Sequence, residues 1–269
     1  MNKLQFFSKS YKWIMIVLVG IPIIIMIILA FSKTIGIDFT NIYFTFENLS
    51  KLKENIYILA IWNSLSLSAL ATTLCLLIGY PIAYLITKLQ AKYKWFVLVM
   101  VISPMWSNML LRIIAWEQLF KPNSLLNSAG ISLDILGTKT AIVIGMISIY
   151  LPFMIFPIYS VLEKMDKSLI EAAIDLGASQ KEVFRKIILP LSKGGVISGI
   201  MMTFLPSATA FALPQRLGSG KILLIGNVIE NLFKRVYNFN LGSLLSLLVI
   251  IIIFGSMKIA KRDDGELII

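Results

Sequence analysis

The stretch that decides the fold of this protein is "EAAIDLGASQKEVFRKIILP", residues Glu171–Pro190. It is the longest part of an otherwise apolar chain that mixes both charge signs at helical spacing. Helix-forming residues fill it, and its last residue, Pro190, is expected to end a helix. A protein that keeps one amphipathic segment between apolar ones is expected to use that segment for a contact outside the bilayer.

Two Ser-x-x-Glu pairs, Ser168–Glu171 and Ser179–Glu182, have the spacing of helix-capping boxes. In such a box the serine accepts a hydrogen bond from the backbone of the first turn, and the glutamate reaches back to the serine. Gly177 lies between the two boxes and is the residue type that favours the left-handed end of a helix. We therefore predict two short helices hinged at Gly177.

The rest of the chain has the composition of a membrane protein. Hydrophobic residues make up 58% of its 269 residues, charged residues only 14%, and the mean hydropathy is +0.85. A helix needs about 20 apolar residues to cross a bilayer, and six segments reach that length. The predicted fold class is therefore an all-α membrane protein with six transmembrane helices, near 13–31, 57–87, 95–116, 140–162, 194–214 and 241–257. The first is expected to be a retained anchor, because signal-peptide cores are shorter.

The charge distribution predicts the orientation. If the amino terminus is cytoplasmic, Lys and Arg are about twice as dense in the inner segments as in the outer ones, as the positive-inside rule expects. Both termini and the loop 163–193 would then be cytoplasmic. The net charge of +11 is thus explained by topology, with membrane lipids rather than nucleic acid as the partner.

The residue inventory argues against an enzyme. The sequence has no histidine and one cysteine, Cys75, which excludes disulfides and the usual nitrogen and sulfur metal sites. It has no phosphate-binding glycine motif. Arg112 is the one charged residue inside a predicted span, and no carboxylate lies in any span. Without ionisable relays at membrane depth, energy for transport would have to enter through the loop 163–193.

Physical reasoning leaves two roles open for this loop. Lys181, Arg185 and Lys186 could face lipid headgroups while the helix pair lies in the membrane interface. Alternatively, the loop could dock a partner protein.

A resemblance favours docking. The spacing Glu-Ala-Ala, three residues, Gly, nine residues, Ile-x-Leu-Pro is similar to the signature of the permease subunits of type I ABC importers. The matching positions are Glu171, Ala172, Ala173, Gly177, Ile187, Leu189 and Pro190. In that family the signature forms coupling helices that seat in a cytoplasmic ATPase. The resemblance implies the same role for these seven residues.

Three further stretches, 63–87, 151–179 and 221–233, resemble the permeases of spermidine/putrescine importers. The implied organisation is an amino-terminal segment, first helix and outer loop (1–59), a five-helix permease core (60–257) that contains the coupling loop, and a cytoplasmic tail (258–269). Permeases for sulfate, ferric iron or phosphonate share the signature and remain alternatives. A membrane scaffold or passive channel whose loop binds lipid is the alternative from another class.

The resemblance also implies the partners. A second, different permease chain would complete the pathway, two copies of a cytoplasmic ATPase would bind ATP and Mg, and an external binding protein would deliver the substrate. This chain itself would bind no cofactor and no metal, and would lie in the cytoplasmic (inner) membrane of a bacterium.

Aromatic faces could hold a polycation without a carboxylate. The candidates for lining the path, with their polar companions, are Trp106, Asn108, Trp116, Tyr150, Tyr159, Ser207, Thr209 and Phe211. Carbonyl groups released near Pro152 and Pro206 could also attract ammonium groups. Arg112 is interpreted as snorkelling to the interface, with a gate or an inter-subunit contact as alternatives.

Overall fold

A computed structural model of the protein describes residues 3–35, 38–122, 124 and 134–262 and is mostly helical. Helix α1 (Lys3–Ala30) leads into a two-stranded antiparallel hairpin, β1 (Ser32–Ile35) and β2 (Asp38–Phe44). A short helix, α2 (Glu47–Lys51), then precedes the long helix α3 (Asn55–Lys88). The hairpin falls in the segment that the sequence analysis assigned to an outer loop.

The middle of the chain contains helices α4 (Ala91–Ile102), α5 (Met109–Leu119) and α6 (Lys139–Glu163). The amphipathic stretch then forms α7 (Lys167–Asp175), α8 (Gln180–Val183), a π-helical turn over Phe184–Ile188 and the single turn α9 (Leu189–Leu191). The carboxyl-terminal part contains α10 (Lys193–Ala208), α11 (Ala212–Leu217), α12 (Ile225–Lys234) and α13 (Phe239–Arg262).

Three of the described helices are long and apolar enough to cross a membrane, namely Lys12–Ala30 within α1, and the whole of α3 and α6. Two bent pairs raise the number to as many as five if each pair forms one span, and Phe239–Gly255 within α13 is a shorter apolar helix. The prediction of transmembrane helices is thus confirmed, whereas the count of six spans is not.

The predicted spans 95–116 and 194–214 are each interrupted near a proline that the sequence contains, Pro104 and Pro206. The first is bent by 93° between Trp106 and Met109, because Pro104 lies in the 3₁₀ turn Ser103–Trp106 and Asn108 then caps a new helix. The second stops at Ala208, two residues after Pro206, and resumes at Ala212 as α11.

The core forms where α3, α6 and α10 pack together. Small residues permit the close approach, as is usual between helices in membranes. Ala71, Cys75 and Ala83 of α3 are completely buried. A Cβ atom placed on Gly199 of α10 would lie 3.0 Å from the carbonyl oxygen of Met154 in α6. The described part of α1, by contrast, is almost entirely exposed in the isolated chain, which suits a helix surrounded by lipid.

Candidate functional site

The first helix of the amphipathic stretch, α7, begins two residues earlier than the capping pattern predicts. Asp166 is its N-cap, and the carboxylate accepts a hydrogen bond from the backbone N–H of Ser168 at 2.9 Å. This hydrogen bond lowers the pKa of Asp166. The predicted box at Ser168 and Glu171 is therefore wrong, because aspartate caps as well as serine and comes first in the chain. Glu171 instead lies in the middle of the helix.

The predicted hinge at Gly177 is confirmed. Its φ angle is +85°, in the left-handed region that glycine adopts without steric cost. The backbone N–H of Ala178 donates to the carbonyl of Ala173 at 3.0 Å, and the N–H of Gly177 donates to the carbonyl of Ile174 at 2.8 Å. These are the two hydrogen bonds of a Schellman motif, so α7 has a defined end.

The second capping box is also confirmed. The Ser179 hydroxyl accepts from the backbone N–H of Glu182, and the Glu182 carboxylate accepts from the backbone N–H of Ser179 at 3.0 Å. That backbone hydrogen bond, helped by Lys186 at 3.1 Å, lowers the pKa of Glu182 from 4.5 to about 2. Since the native pKa lies below the ordinary value, the cap is fully formed at neutral pH and is lost only as the pH falls from 4.5 towards about 2.

Pro190 does not end the second helix as predicted. The π-helical turn leads into α9, where Pro190 occupies the first turn and needs no N–H partner. The helical path breaks at Ser192 and bends by 58° into α10. The stretch is therefore continuous with a helix of the core.

The two halves of this stretch differ in how firmly they are attached. Val183 and Ile188 are buried in the same apolar cluster as residues of α3 and α6. The Phe184 ring packs edge-on against Tyr80 and Tyr84 of α3, with centroids 6.0 and 5.6 Å apart. A displacement of this half would therefore move the helices of the core with it.

The first half presents an apolar surface to solvent. Leu169, Ala172 and Leu176 lie on one face of α7 at helical spacing and are exposed, and Leu176 is 89% exposed. Nothing lies within 4 Å of the Cβ position of Gly177. We call Leu169, Ala172, Leu176 and Gly177 the loop surface. Leu176 is absent from the predicted coupling residues, although an apolar residue directly before a helix-ending glycine was a visible signal.

The remaining predicted coupling residues differ in their exposure. Glu171 is exposed and borders a cleft of about 520 Å³ between α3, α4, α6 and α7. Ala173 and Ile187 are half-buried, whereas Leu189 and Pro190 are exposed. The cleft also contains the ion pair of Lys94 and Glu163, at 2.8 Å. The structure thus brings the seven signature residues to one end of the molecule, where α3 and α6 end.

Arg112 has a role that the sequence did not suggest. Pro152 lacks an N–H and so leaves the carbonyl of Ser148 without its helical partner. The Arg112 guanidinium donates to that carbonyl and to the carbonyl of Pro104, the latter at 3.1 Å. The Trp116 indole N–H donates to the Ser148 hydroxyl at 2.7 Å. Arg112 therefore joins the bend after Pro104 to α6 and does not snorkel to the interface. The Ser148 carbonyl, which was proposed to attract an ammonium group, is instead hydrogen-bonded to Arg112.

Replacing Arg112 by leucine should destabilise the protein, because the partly buried Ser148 carbonyl, which has no helical N–H partner opposite Pro152, loses its donor. An unsatisfied buried polar group costs about 1–3 kcal/mol. We expect a clear fall in the thermal unfolding midpoint of the purified protein. Arg216→Leu is the matched control, since Arg216 is exposed and its contact with Glu117 is long, at 3.5 Å. Equal shifts for the two variants would contradict the role given to Arg112.

The predicted pathway residues do not form one group. Tyr150, Tyr159 and Ser207 are buried in the core, and the Tyr150 hydroxyl donates to the carbonyl of Pro206 at 3.3 Å. Trp106 is 84% exposed, at the bend of the third span. Asn108 is exposed but caps α5 through its side chain. Their part in a pathway stays a prediction.

Thr209 and Phe211 do share a site. They lie at the break between α10 and α11 and line a groove of about 430 Å³ whose other walls come from α12 and α13. Glu230 and Lys234 of α12 also line this groove and form an ion pair of 2.9 Å. The sequence analysis missed both, because it treated them as ordinary loop charges. Among the described residues, no group of three or more His, Cys, Asp or Glu could hold a metal ion.

Comparison with known families gives a match over most of the chain. A family model described as "Binding-protein-dependent transport system inner membrane component" matches residues 91–261. This range contains the loop surface, the bend at Arg112 and the groove at Phe211.

Two curated relatives match nearly end to end. The spermidine/putrescine transport system permease protein PotB of Haemophilus influenzae is 36% identical over 97% of this chain and 96% of its own. The protein of the same name from Escherichia coli is 34% identical over 94% of both chains.

The fold is similar to that of a solved bacterial ABC transporter involved in the import of the acidic polysaccharide alginate. The TM-score is 0.77 at 16% identity, over 96% of this chain and 95% of the other. At this identity the likeness establishes the fold alone.

Proposed function

The chain belongs to the family of binding-protein-dependent transport system inner membrane components, and from this membership we propose that it is the permease subunit of an ATP-driven polyamine importer. The observation that carries the substrate class is the 36% identity to a spermidine/putrescine permease over 97% of the chain. Identity at that level over the whole length covers the groove at Phe211 and the loop surface alike. The permease is a non-catalytic subunit, and hydrolysis takes place on a partner.

The proposed topology has six transmembrane spans with both ends in the cytoplasm. The spans are α1, α3, α4 with α5, α6, α10 with α11, and α13. The bend at Arg112 supports counting α4 and α5 together, because Arg112 ties the two sides of the bend to α6. The density of Lys and Arg supports the orientation, which places the loop 163–193 in the cytoplasm and α12 outside.

The loop surface is proposed to dock the ATPase. Its exposed leucines offer an apolar anchor, and the Schellman turn at Gly177 fixes their position. Closure of two ATPase copies upon ATP and Mg would displace α7. Because the following helix is packed into the core through Val183 and Ile188, the displacement would reach α3 and α6 as a rigid-body movement. A second permease chain, different from this one, would form the other half of the pathway.

The proposal is tested by reconstituting both permeases with the ATPase in vesicles. Binding protein loaded with spermidine or putrescine should accelerate ATP hydrolysis and drive uptake of the labelled polyamine. The acceleration can be no larger than the difference in affinity of the loaded protein for the two permease states.

The alternatives predict other results in the same assay. Stimulation of ATP hydrolysis by sulfate, ferric iron or phosphonate with their binding proteins would contradict the polyamine substrate but leave the permease role intact. Failure of any ATPase to bind would overturn the importer and favour a scaffold or passive channel.

A further inference from the structure

We propose that the groove at Phe211 binds one primary ammonium group of the transported polyamine, and that the Lys234 ammonium occupies this position until the substrate arrives. The inference rests on the proposed function and names a binding site for it. It is drawn from the positions of Glu230, Lys234 and Phe211.

Three groups define the ammonium position. The Lys234 Nζ atom lies 2.9 Å from Oε1 of Glu230 and 5.8 Å from the centroid of the Phe211 ring. A carboxylate contact together with an aromatic face within about 6 Å is an arrangement that holds alkylammonium ions. The site is therefore already shaped around a primary ammonium group.

The two charged partners are unequally held. The Glu230 side chain is only 20% exposed, whereas the Lys234 side chain is 70% exposed. The carboxylate is thus fixed in the wall of the groove, while the lysine reaches it from outside. Since the lysine is the solvent-exposed partner, another cation can take its place at the carboxylate without a change in the groove wall.

Lys234 and a polyamine present the same chemical group. A lysine side chain ends in four methylene groups and an ammonium ion, and a polyamine end is likewise a methylene chain that carries an ammonium ion. The substrate could therefore replace Lys234 without leaving Glu230 unpaired at any stage. This matters because a carboxylate removed from water is costly when it lacks a partner.

The groove also suits the methylene spacers. Its walls beyond Glu230 are mostly apolar and are formed by Ile225, Ile229, Phe233, Val249 and Ile250. Thr209 supplies a hydroxyl at the broken helix. In a polyamine, ammonium groups alternate with methylene spacers. One ammonium group would contact the Glu230 carboxylate while the adjoining spacer packs against the apolar wall.

The backbone at Phe211 is held by the neighbouring helix. The Asn227 side-chain amide donates to the carbonyl of Phe211 at 2.6 Å. Asn227 and Glu230 lie one turn apart on α12, so the same helix holds the backbone at Phe211 and carries the carboxylate. The segment between α10 and α11, which follows Ala208, thus forms one wall of the site.

The test compares three variants with the wild type, each as the complete membrane complex in nanodiscs without the external binding protein. Binding of tritiated putrescine is measured directly. Glu230→Gln removes the acceptor and should weaken binding about tenfold, as expected for loss of a charge-assisted hydrogen bond. Lys234→Gln removes the competitor and should tighten binding about threefold or more. Lys234→Arg keeps a tethered cation and should restore wild-type affinity.

Opposite signs separate this site from a structural ion pair, which predicts that both neutral variants change binding in the same direction or not at all. Lys121→Gln is the matched control, because Lys121 forms a similar pair with Glu117 at 3.5 Å, away from the groove, and should leave binding unchanged. If the wild-type complex transports polyamine but Glu230→Gln and Lys234→Gln do not change the affinity in opposite directions, the proposed ammonium site is wrong. The proposed importer function is then unaffected. If the wild type neither binds nor transports polyamine, both proposals are overturned.

Discussion

Replacing Leu176 by glutamate should strongly weaken assembly with the ATPase. Leu176 is 89% exposed, so the substitution removes no contact within the chain and should leave its folding intact. In the proposed complex this side chain is buried against the partner. A carboxylate at this position would be desolvated, which opposes binding. Anchors of this kind contribute about 2 kcal/mol or more to binding, which corresponds to a loss of about thirtyfold in affinity. The measurement is the amount of ATPase that copurifies with the membrane subunits.

The control for this variant is Leu49→Glu. Leu49 is also exposed, at 40%, but it lies on α2, before the start of α3, whereas the loop surface lies beyond the other end of that helix. The control should assemble normally. Normal assembly and transport by Leu176→Glu would show that the loop surface does not dock the ATPase.

Replacing Gly177 by valine should weaken the same assembly by a different route. The φ angle of +85° places the residue where a side chain costs about 1–2 kcal/mol, and a β-branched one more. The space around Gly177 is open, so the effect is purely one of backbone conformation. We expect the Schellman turn to be lost, the leucines of α7 to be displaced, and the affinity for the ATPase to fall about tenfold.

Gly194→Val provides the matched comparison. Gly194 also has nothing within 4 Å of its Cβ position, but it lies in the first turn of α10, where valine is tolerated. The chain with valine at 194 should bind the ATPase at normal stoichiometry. If both variants lose the ATPase equally, the left-handed turn is not what positions the loop surface.

The features that could be predicted from the sequence are those that depend on near neighbours in the chain. The turn at Gly177 follows from the glycine itself, and the cap at Ser179 depends on a residue three positions away. The error at Ser168 has the same local character, because Asp166 is an equally good cap and stands two residues earlier. The long helices α3 and α6 were also predictable, since the cost of leaving backbone groups unpaired in lipid forces apolar runs of that length into helices.

What the sequence alone determined is therefore the membrane class, the helical spans and the local form of the loop. Only the tertiary structure decided which side chains meet across the chain, such as Arg112 with the carbonyl of Ser148, and Lys234 with the ring of Phe211. The physical reason is that hydropathy measures transfer out of water, and in a membrane protein the lipid and the protein core are equally apolar. Burial of Tyr150 and exposure of Trp106 thus have the same sequence signature, and packing between distant helices distinguishes them.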